Sequence, residues 1–243
     1  MTKIIAHRGS SASAPENTLA AFRQAILDKA DGIELDVHYS KDGELMVIHD
    51  FTVDRTAKDQ IGYISSFTKE ELQKMDVGSW FNAHYKGEYI PTLREVFELL
   101  KDTSLSLNIE LKAGSRIYPK IEAMVIQMIK QYHFENRSII SSFDHYALKE
   151  VKNIDASIQT GMLYGSSMYE PWDYIKNLEA DAIHPNFMTV DEVLIKGCIE
   201  HSTAINTYTV NDEDTMKKLI GKVSSIITNY PSTLYSLMEG AKE

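Results

Sequence analysis

Short runs of β-branched and aliphatic residues recur along the chain, each followed by apolar positions spaced three and four apart. The strand-like runs fall at residues 3–7, 32–37, 105–111, 138–142, 159–163, 182–184, 204–208 and 225–228. Between them, Leu19, Phe22 and Ile26 mark one helical face. Ile121, Met124, Val125, Met128 and Ile129 mark a clearer one, and Val190, Val193 and Leu194 begin another. Eight strands alternating with helices predict an α/β protein, a closed parallel (β/α)8 TIM barrel. An open doubly wound sheet would show the same rhythm. The count of eight and the chain length favour the barrel.

One segment breaks the alternation. After Asp36 the chain reads VHYSKDGELMVIHD, and Asp42-Gly43 predicts a hairpin turn. The second strand therefore folds back and returns at residues 47–50. Residues 51 to about 91 hold no barrel-like strand. They carry a short helix signal at Thr68-Lys69-Glu70-Glu71 and the aromatics Trp80, Phe81, Tyr85 and Tyr89. This reads as an insertion over one end of the barrel, within a single domain spanning residues 1–243. A helix at residues 93–100 resumes the pattern. Near the start, Ser13-Ala14-Pro15-Glu16 reads as a capping box, with Ser13 as N-cap and Glu16 reaching back. Nothing in the sequence decides whether Asn17 faces a site.

The 243 residues are 43% hydrophobic, enough for a sizeable core. A formal net charge of −10 with no basic face argues against a nucleic-acid binder and against docking on anionic lipid. The single Cys198 excludes an internal disulfide and sits in an apolar helical pattern as buried filler. No apolar run approaches the ~20 residues of a membrane span, and the apolar run at the N-terminus is too short for a signal-peptide core. The chain is expected to be soluble and cytoplasmic.

Active residues of a TIM barrel sit at the C-terminal ends of its strands. Four polar clusters stand at such places: His7-Arg8-Gly9, Glu34-Leu35-Asp36, His49-Asp50, and Asn108-Ile109-Glu110-Leu111-Lys112. Glu34 and Asp36 are two apart on a strand and share a face, where Glu110 of the next barrel strand can join them. Three converging carboxylates suit a hard divalent cation, Mg2+ or Ca2+, rather than Zn2+. Separate carboxylates paired with Lys or Arg are the alternative. Lys112 can neutralise Glu110 or meet a phosphate oxygen, and the guanidinium fork of Arg8 matches phosphate. His7 and His49 form a pair in which one ring takes a proton and the other gives one. His184 ends a barrel strand and is a weaker candidate. His38, His84, His133, His145 and His201 read as structural or surface residues.

HRG with PENT behind it, ELDV, IHD and IELK, in this order and spacing, resemble the glycerophosphodiester phosphodiesterases, within the wider group of phosphatidylinositol-phospholipase-C-like barrels. The similarity continues through Ser142-Phe143, Tyr208-Thr209-Val210-Asn211 and Ile226-Ile227-Thr228-Asn229-Tyr230-Pro231, so it spans the chain. It implies a TIM barrel that hydrolyses glycerophosphodiesters to an alcohol and sn-glycerol 3-phosphate. It further implies one divalent cation, Mg2+ or Ca2+, on Glu34, Asp36 and Glu110. His7 and His49 would serve as general base and acid, with Arg8 and Lys112 near the phosphate. Phe143 and Tyr208 are candidates to pack on the glycerol or the leaving group. Tyr208 stands where the family often has Trp, Ser224-Ser225 where Asp-Gly is frequent, and Asn229 where Asp is frequent. These departures bear on substrate packing and preference rather than on reaction type. Two routes stay open: attack by the glycerol 2-hydroxyl through a cyclic phosphate, or direct attack by water. A phosphodiesterase of the same barrel group acting on intact lipid, and a catalytically silent binding module, are the rival readings.

Overall fold

The structure, a computed structural model, describes residues 2–57 and 59–240. Its strands are β1 (Lys3–His7), β2 (Gly32–Tyr39), β3 (Leu45–Val47), β4 (Ser106–Leu111), β5 (Ser138–Ser142), β6 (Gln159–Tyr164), β7 (Ala182–Pro185), β8 (Ala204–Thr207) and β9 (Ser225–Thr228). β1 pairs in parallel with both β2 and β9, and parallel pairing runs β2–β4–β5–β6–β7–β8–β9. That double pairing of β1 closes eight parallel strands into a barrel. The remaining strand, β3, lies antiparallel to β2 and is the return of the predicted hairpin. It ends at Val47, so His49 and Asp50 lie just beyond it, where residues 47–50 were expected to be strand.

Helices α1 (Leu19–Leu27), α3 (Leu93–Leu100), α4 (Ile121–Gln131), α5 (His145–Ile154), α6 (Pro171–Leu178), α7 (Glu192–Glu200), α8 (Glu213–Leu219) and α9 (Pro231–Gly240) follow the strands. Alternation along each strand sorts the side chains. Ile33, Leu35, Val37, Leu107, Ile109 and Leu111 belong to one core with Phe22, Phe97 and Ile129 of the helices. Their neighbours Glu34, Asp36, Asn108 and Glu110 therefore point into the barrel. The register sets Asp36 beside Glu110 and His7 beside Glu34.

Residues 51–91 carry the short helix α2 (Lys69–Leu72) where the sequence predicts one, capped by Thr68 with Glu71 in a capping box. Val53, Ala57, Ile64, Leu72, Met75, Val77 and Ile90 bury themselves with Met46 and Ile48 of the hairpin in a second small core. The predicted capping box at residues 13–16 does not form. Thr18 is the N-cap of α1, and its side chain accepts the Ala21 N–H. Its hydroxyl fits that position, and Glu16 is left free for other partners.

The N-terminal ends of the strands enclose a cavity of about 290 Å3 lined by Ser106, Asn108, Asn206 and Ser225 among others. Small residues on the inner wall leave this space. At Gly161, an added Cβ would lie 2.2 Å from His184 Nε2, so the glycine makes room for the imidazole.

Candidate active site

The β1 strand ends in a sharp turn. Arg8 adopts φ +55° and Gly9 φ +81°. A Cβ on Gly9 would sit 2.7 Å from the backbone of Ala21, so only glycine lets this turn lie against α1. The turn aims the Arg8 backbone N–H at Glu34 Oε2, 3.0 Å away. Arg8 Nη1 donates to Glu16 Oε1 at 2.8 Å, and its Nε lies 3.6 Å from Asp36 Oδ2. Asn17, also left-handed with φ +55°, donates its side-chain N–H to Asp36 Oδ2 at 2.8 Å. Asn17 thus faces the site.

Glu34, Asp36 and Glu110 each bring a carboxylate oxygen within 4.8 Å of the others. Lys112 Nζ lies 2.7 Å from Glu110 Oε1 and 3.3 Å from Asp36 Oδ1. Burial and mutual repulsion divide the charge unevenly. Burial tends to raise Asp36, but Lys112, Arg8 and His49 outweigh it and hold that carboxyl well below its usual range. Burial, Asp36 and Glu110 push Glu34 well above it. Burial and Asp36 push Glu110 up to about 7. A buried all-oxygen donor set whose charges are only partly neutralised by two cations fits a hard divalent ion.

Two imidazoles border the cluster. His7 Nε2 is 4.0 Å from Glu34 Oε2, and its Nδ1 lies 2.7 Å from Asn229 Oδ1. An amide oxygen only accepts, so Nδ1 carries the hydrogen and Nε2 the lone pair. Burial and the Arg8 charge hold His7 down to about 4, so it is neutral at neutral pH. His49 Nδ1 lies 2.6 Å from the carboxylate oxygen Oδ1 of Asp50. Burial lowers His49 as well, while Asp36 and the Asp50 hydrogen bond pull it back up. The two rings thus differ in their partners: a neutral amide behind one, an anion behind the other.

These distances join residues from the ends of β1, β2 and β4 with the loop after β3. The sequence profile of the Glycerophosphoryl diester phosphodiesterase family matches residues 7–233. The chain belongs to that family. It is 45% identical over 238 residues to a glycerophosphodiester phosphodiesterase of Caldanaerobacter subterraneus subsp. tengcongensis, covering 98% of each chain. It is 36% identical over 246 residues to one of Bacillus altitudinis, covering 100% of both. Among solved structures it resembles an Oleispira antarctica phosphodiesterase in complex with the product sn-glycerol-3-phosphate. The TM-score is 0.91 at 29% identity, covering 98% of this chain and 97% of that one. The activity that membership carries is that of a glycerophosphodiester phosphodiesterase, a phosphoric diester hydrolase.

The family barrel brings His7, Arg8, Glu34, Asp36, His49, Glu110 and Lys112 together. Tyr208 stands near them, its hydroxyl pushed up to about 12 by burial and the nearby Glu110 charge. Phe143, half exposed, meets Tyr208 edge-on with ring centroids 6.0 Å apart. His184 does not join them. It is fully buried, its Nε2 is 2.9 Å from Asn206 Nδ2, and it lines the cavity at the opposite end of the barrel. A ring with no exposed face cannot contact substrate at the mouth, so His184 is a barrel-interior residue. His38, read as structural, is buried behind the site. Its Nε2 is 3.1 Å from the His49 carbonyl oxygen and its Nδ1 is 2.8 Å from the Tyr118 hydroxyl.

The sequence assigns Glu16 to a helix cap rather than to the site, and it points neither to Arg55 nor to the Asn229 contact. Arg55 donates from Nε to Asp50 Oδ2 at 2.6 Å and from both terminal nitrogens to Glu16 at 2.7 and 2.8 Å. The only sequence signal for it was an arginine close after His49-Asp50. Of the described residues, no helix is long and apolar enough to cross a membrane.

Proposed function

We propose that this enzyme hydrolyses glycerophosphodiesters to an alcohol and sn-glycerol 3-phosphate, with one divalent cation and the His7–His49 pair. The reading covers one 1–243 unit in which residues 51–91 are an insertion serving the site. The observation that carries it is the unequal pair of imidazoles flanking three carboxylates and two cations. Glu34, Asp36 and Glu110 would hold Mg2+ or Ca2+, which when bound neutralises phosphoryl charge and acidifies the attacking hydroxyl. Arg8 and Lys112 hold the non-bridging phosphate oxygens. His7 Nε2, neutral with its lone pair free, takes the proton of the attacking hydroxyl as the new P–O bond forms. His49, whose charged form Asp50 stabilises, gives a proton to the alcohol oxygen as its bond to phosphorus breaks. The attacking hydroxyl is either water or the glycerol 2-hydroxyl. In the second case a cyclic phosphate forms and water opens it, with the two rings exchanging roles. Phe143 and Tyr208 pack against the glycerol or the leaving group.

The test is release of glycerol 3-phosphate from glycerophosphocholine, glycerophosphoethanolamine and glycerophosphoglycerol, with EDTA and then with Mg2+ or Ca2+ restored. Chelator-sensitive release rescued by a divalent ion is the expected result. Release indifferent to EDTA would remove the cation from the reading, and no release with any ion would overturn it.

One observation favours a second reading, a lipid-bearing substrate. Ile117, Phe143, Tyr169 and Met188 are 62%, 52%, 89% and 77% exposed, and each lies in a loop or short 3-10 turn that follows a barrel strand. Those loops surround the catalytic end. With a net charge of −10 such a rim suits zwitterionic rather than anionic lipid. Lysophosphatidylcholine cleaved faster than glycerophosphocholine would favour this reading, and the reverse order would exclude it.

A further inference from the structure

Five side chains form a line of alternating charge across the mouth of the barrel. Arg8 bonds Glu16, Glu16 bonds Arg55, Arg55 bonds Asp50, and Asp50 bonds His49. Arg55 is the centre of the line, and its fork meets Glu16 with two parallel bonds while its Nε is spent on Asp50. Both Asp50 oxygens are thereby taken, Oδ2 by Arg55 and Oδ1 by the imidazole, which holds the carboxylate between its two partners. With Nδ1 of His49 tied to Asp50, Nε2 is the nitrogen left for proton transfer. The backbone that delivers Arg55 is itself pinned. Val53 and Ala57, either side of it, are buried in the second core, and the Ala57 N–H donates to the Val53 carbonyl at 2.8 Å. The Arg55 side chain is 42% exposed, so it contributes to that core only through its neighbours.

We infer that Arg55 is a positioning residue for the reaction. It touches no reacting atom; it locks Asp50, and through Asp50 the orientation and charged form of His49, while tying the 51–91 segment to the Glu16–Arg8 end of the site. This rests on the proposed function, in which His49 protonates the departing alcohol. Without Arg55, Glu16 keeps Arg8, but Asp50 loses the cation on Oδ2 that holds its carboxylate toward the ring. A lysine cannot replace it, because an ammonium lacks the planar fork that serves Glu16 and Asp50 at once.

The role has a signature that simple destabilisation lacks. An alkoxide leaving group needs a proton from His49, whereas a nitrophenolate departs without one. The experiment compares wild type, Arg55→Met, Arg55→Lys, His49→Ala and the double variant Arg55→Met/His49→Ala. Each is assayed on glycerophosphoethanolamine and on the p-nitrophenyl ester of glycerol 3-phosphate. Arg55→Met is expected to lose about 10–100-fold in kcat on the first substrate with KM within about threefold. It should lose at least tenfold less on the second. The double variant should be no slower than His49→Ala alone, because Arg55 acts through that ring. Equal losses on both substrates, or fully additive losses in the double variant, would overturn the inference. Melting temperatures are read alongside. If Arg55→Met does not fold, the same two criteria are applied to Arg55→Lys. A wild type that releases no glycerol 3-phosphate overturns the parent reading and this one with it, and that failure is seen in the wild-type arm alone.

Discussion

Glu110→Gln tests the electrostatic logic of the site in one substitution. The side chain is nearly isosteric, so packing is preserved and only the charge is removed. Glu110 sits with Asp36 and Glu34 in a cluster whose oxygens all lie within 4.8 Å. Two unit charges at that separation, at an effective dielectric constant of about 20, repel by about 3.5 kcal/mol. The upward shift of the group, to which burial contributes first and Asp36 second, is of the same scale. Burial and Asp36 move it from the ordinary 4.5 to about 7, a cost of about 3 kcal/mol at about 1.4 kcal/mol per pH unit. The sign follows from which state binds the proton. Between 4.5 and about 7 the folded protein holds a proton that the unfolded chain has lost. Stability contributed by this group therefore falls as pH rises through that window, and the full cost is reached above about 7. In EDTA at pH 8 the Gln variant should melt higher than wild type, by up to roughly 6–12 °C for a chain of this size. Loss of the Glu110–Lys112 contact trims the gain. At pH 5 the two proteins should melt together. A divalent cation at 100 times its Kd stabilises wild type by about 2.7 kcal/mol; the variant, short of one ligand, should gain far less. Differential scanning fluorimetry across pH 5–8, with EDTA, Mg2+ or Ca2+, reads all of this. A variant less stable than wild type in EDTA at pH 8 would refute the reasoning, since Glu110 would then serve as the partner of Lys112 rather than as a repelled ligand.

Other consequences are as specific. Asn229→Asp places an anion behind His7 and should raise the acid limb of the kcat/KM profile by about one pH unit; an unmoved limb would deny His7 the role of base. Gly9→Ala meets both a left-handed backbone and a 2.7 Å clash with Ala21. It should cost about 1–3 kcal/mol in urea unfolding and lower activity through the adjoining Arg8; a neutral effect would show the turn to be adaptable. His184 is held neutral by burial, down to about 3 from 6.5. The unfolded chain binds that proton first as pH falls, so stability drops through this window by about 1.4 kcal/mol per pH unit. His184→Gln should flatten the pH dependence of urea unfolding by that amount between pH 6 and 4, and an unchanged slope would contradict it.

The sequence by itself determined the barrel and most of the candidate site. Alternating apolar runs and helical stripes depend only on neighbours in the chain, so the eight parallel strands were legible to within about two residues. Strand-end motifs placed His7, Arg8, Glu34, Asp36, His49, Glu110 and Lys112 because residues two apart share a face and barrel strand ends share a mouth. What depended on contacts between distant segments stayed out of reach. Glu16 satisfies a local capping pattern as well as it satisfies Arg8 and Arg55, and only the seating of Thr18 at the start of α1 decided between them. His184 ends a strand in sequence, yet the space left by Gly161 and the hydrogen bond to Asn206 draw it into the interior. Arg55 acquired its partners because a second core pins its loop opposite Glu16. Periodicity is a property of the chain and survives in the sequence, whereas a hydrogen bond across 222 residues is settled only when closure of the barrel brings its two ends together, and one across 39 only when the second core seats the loop.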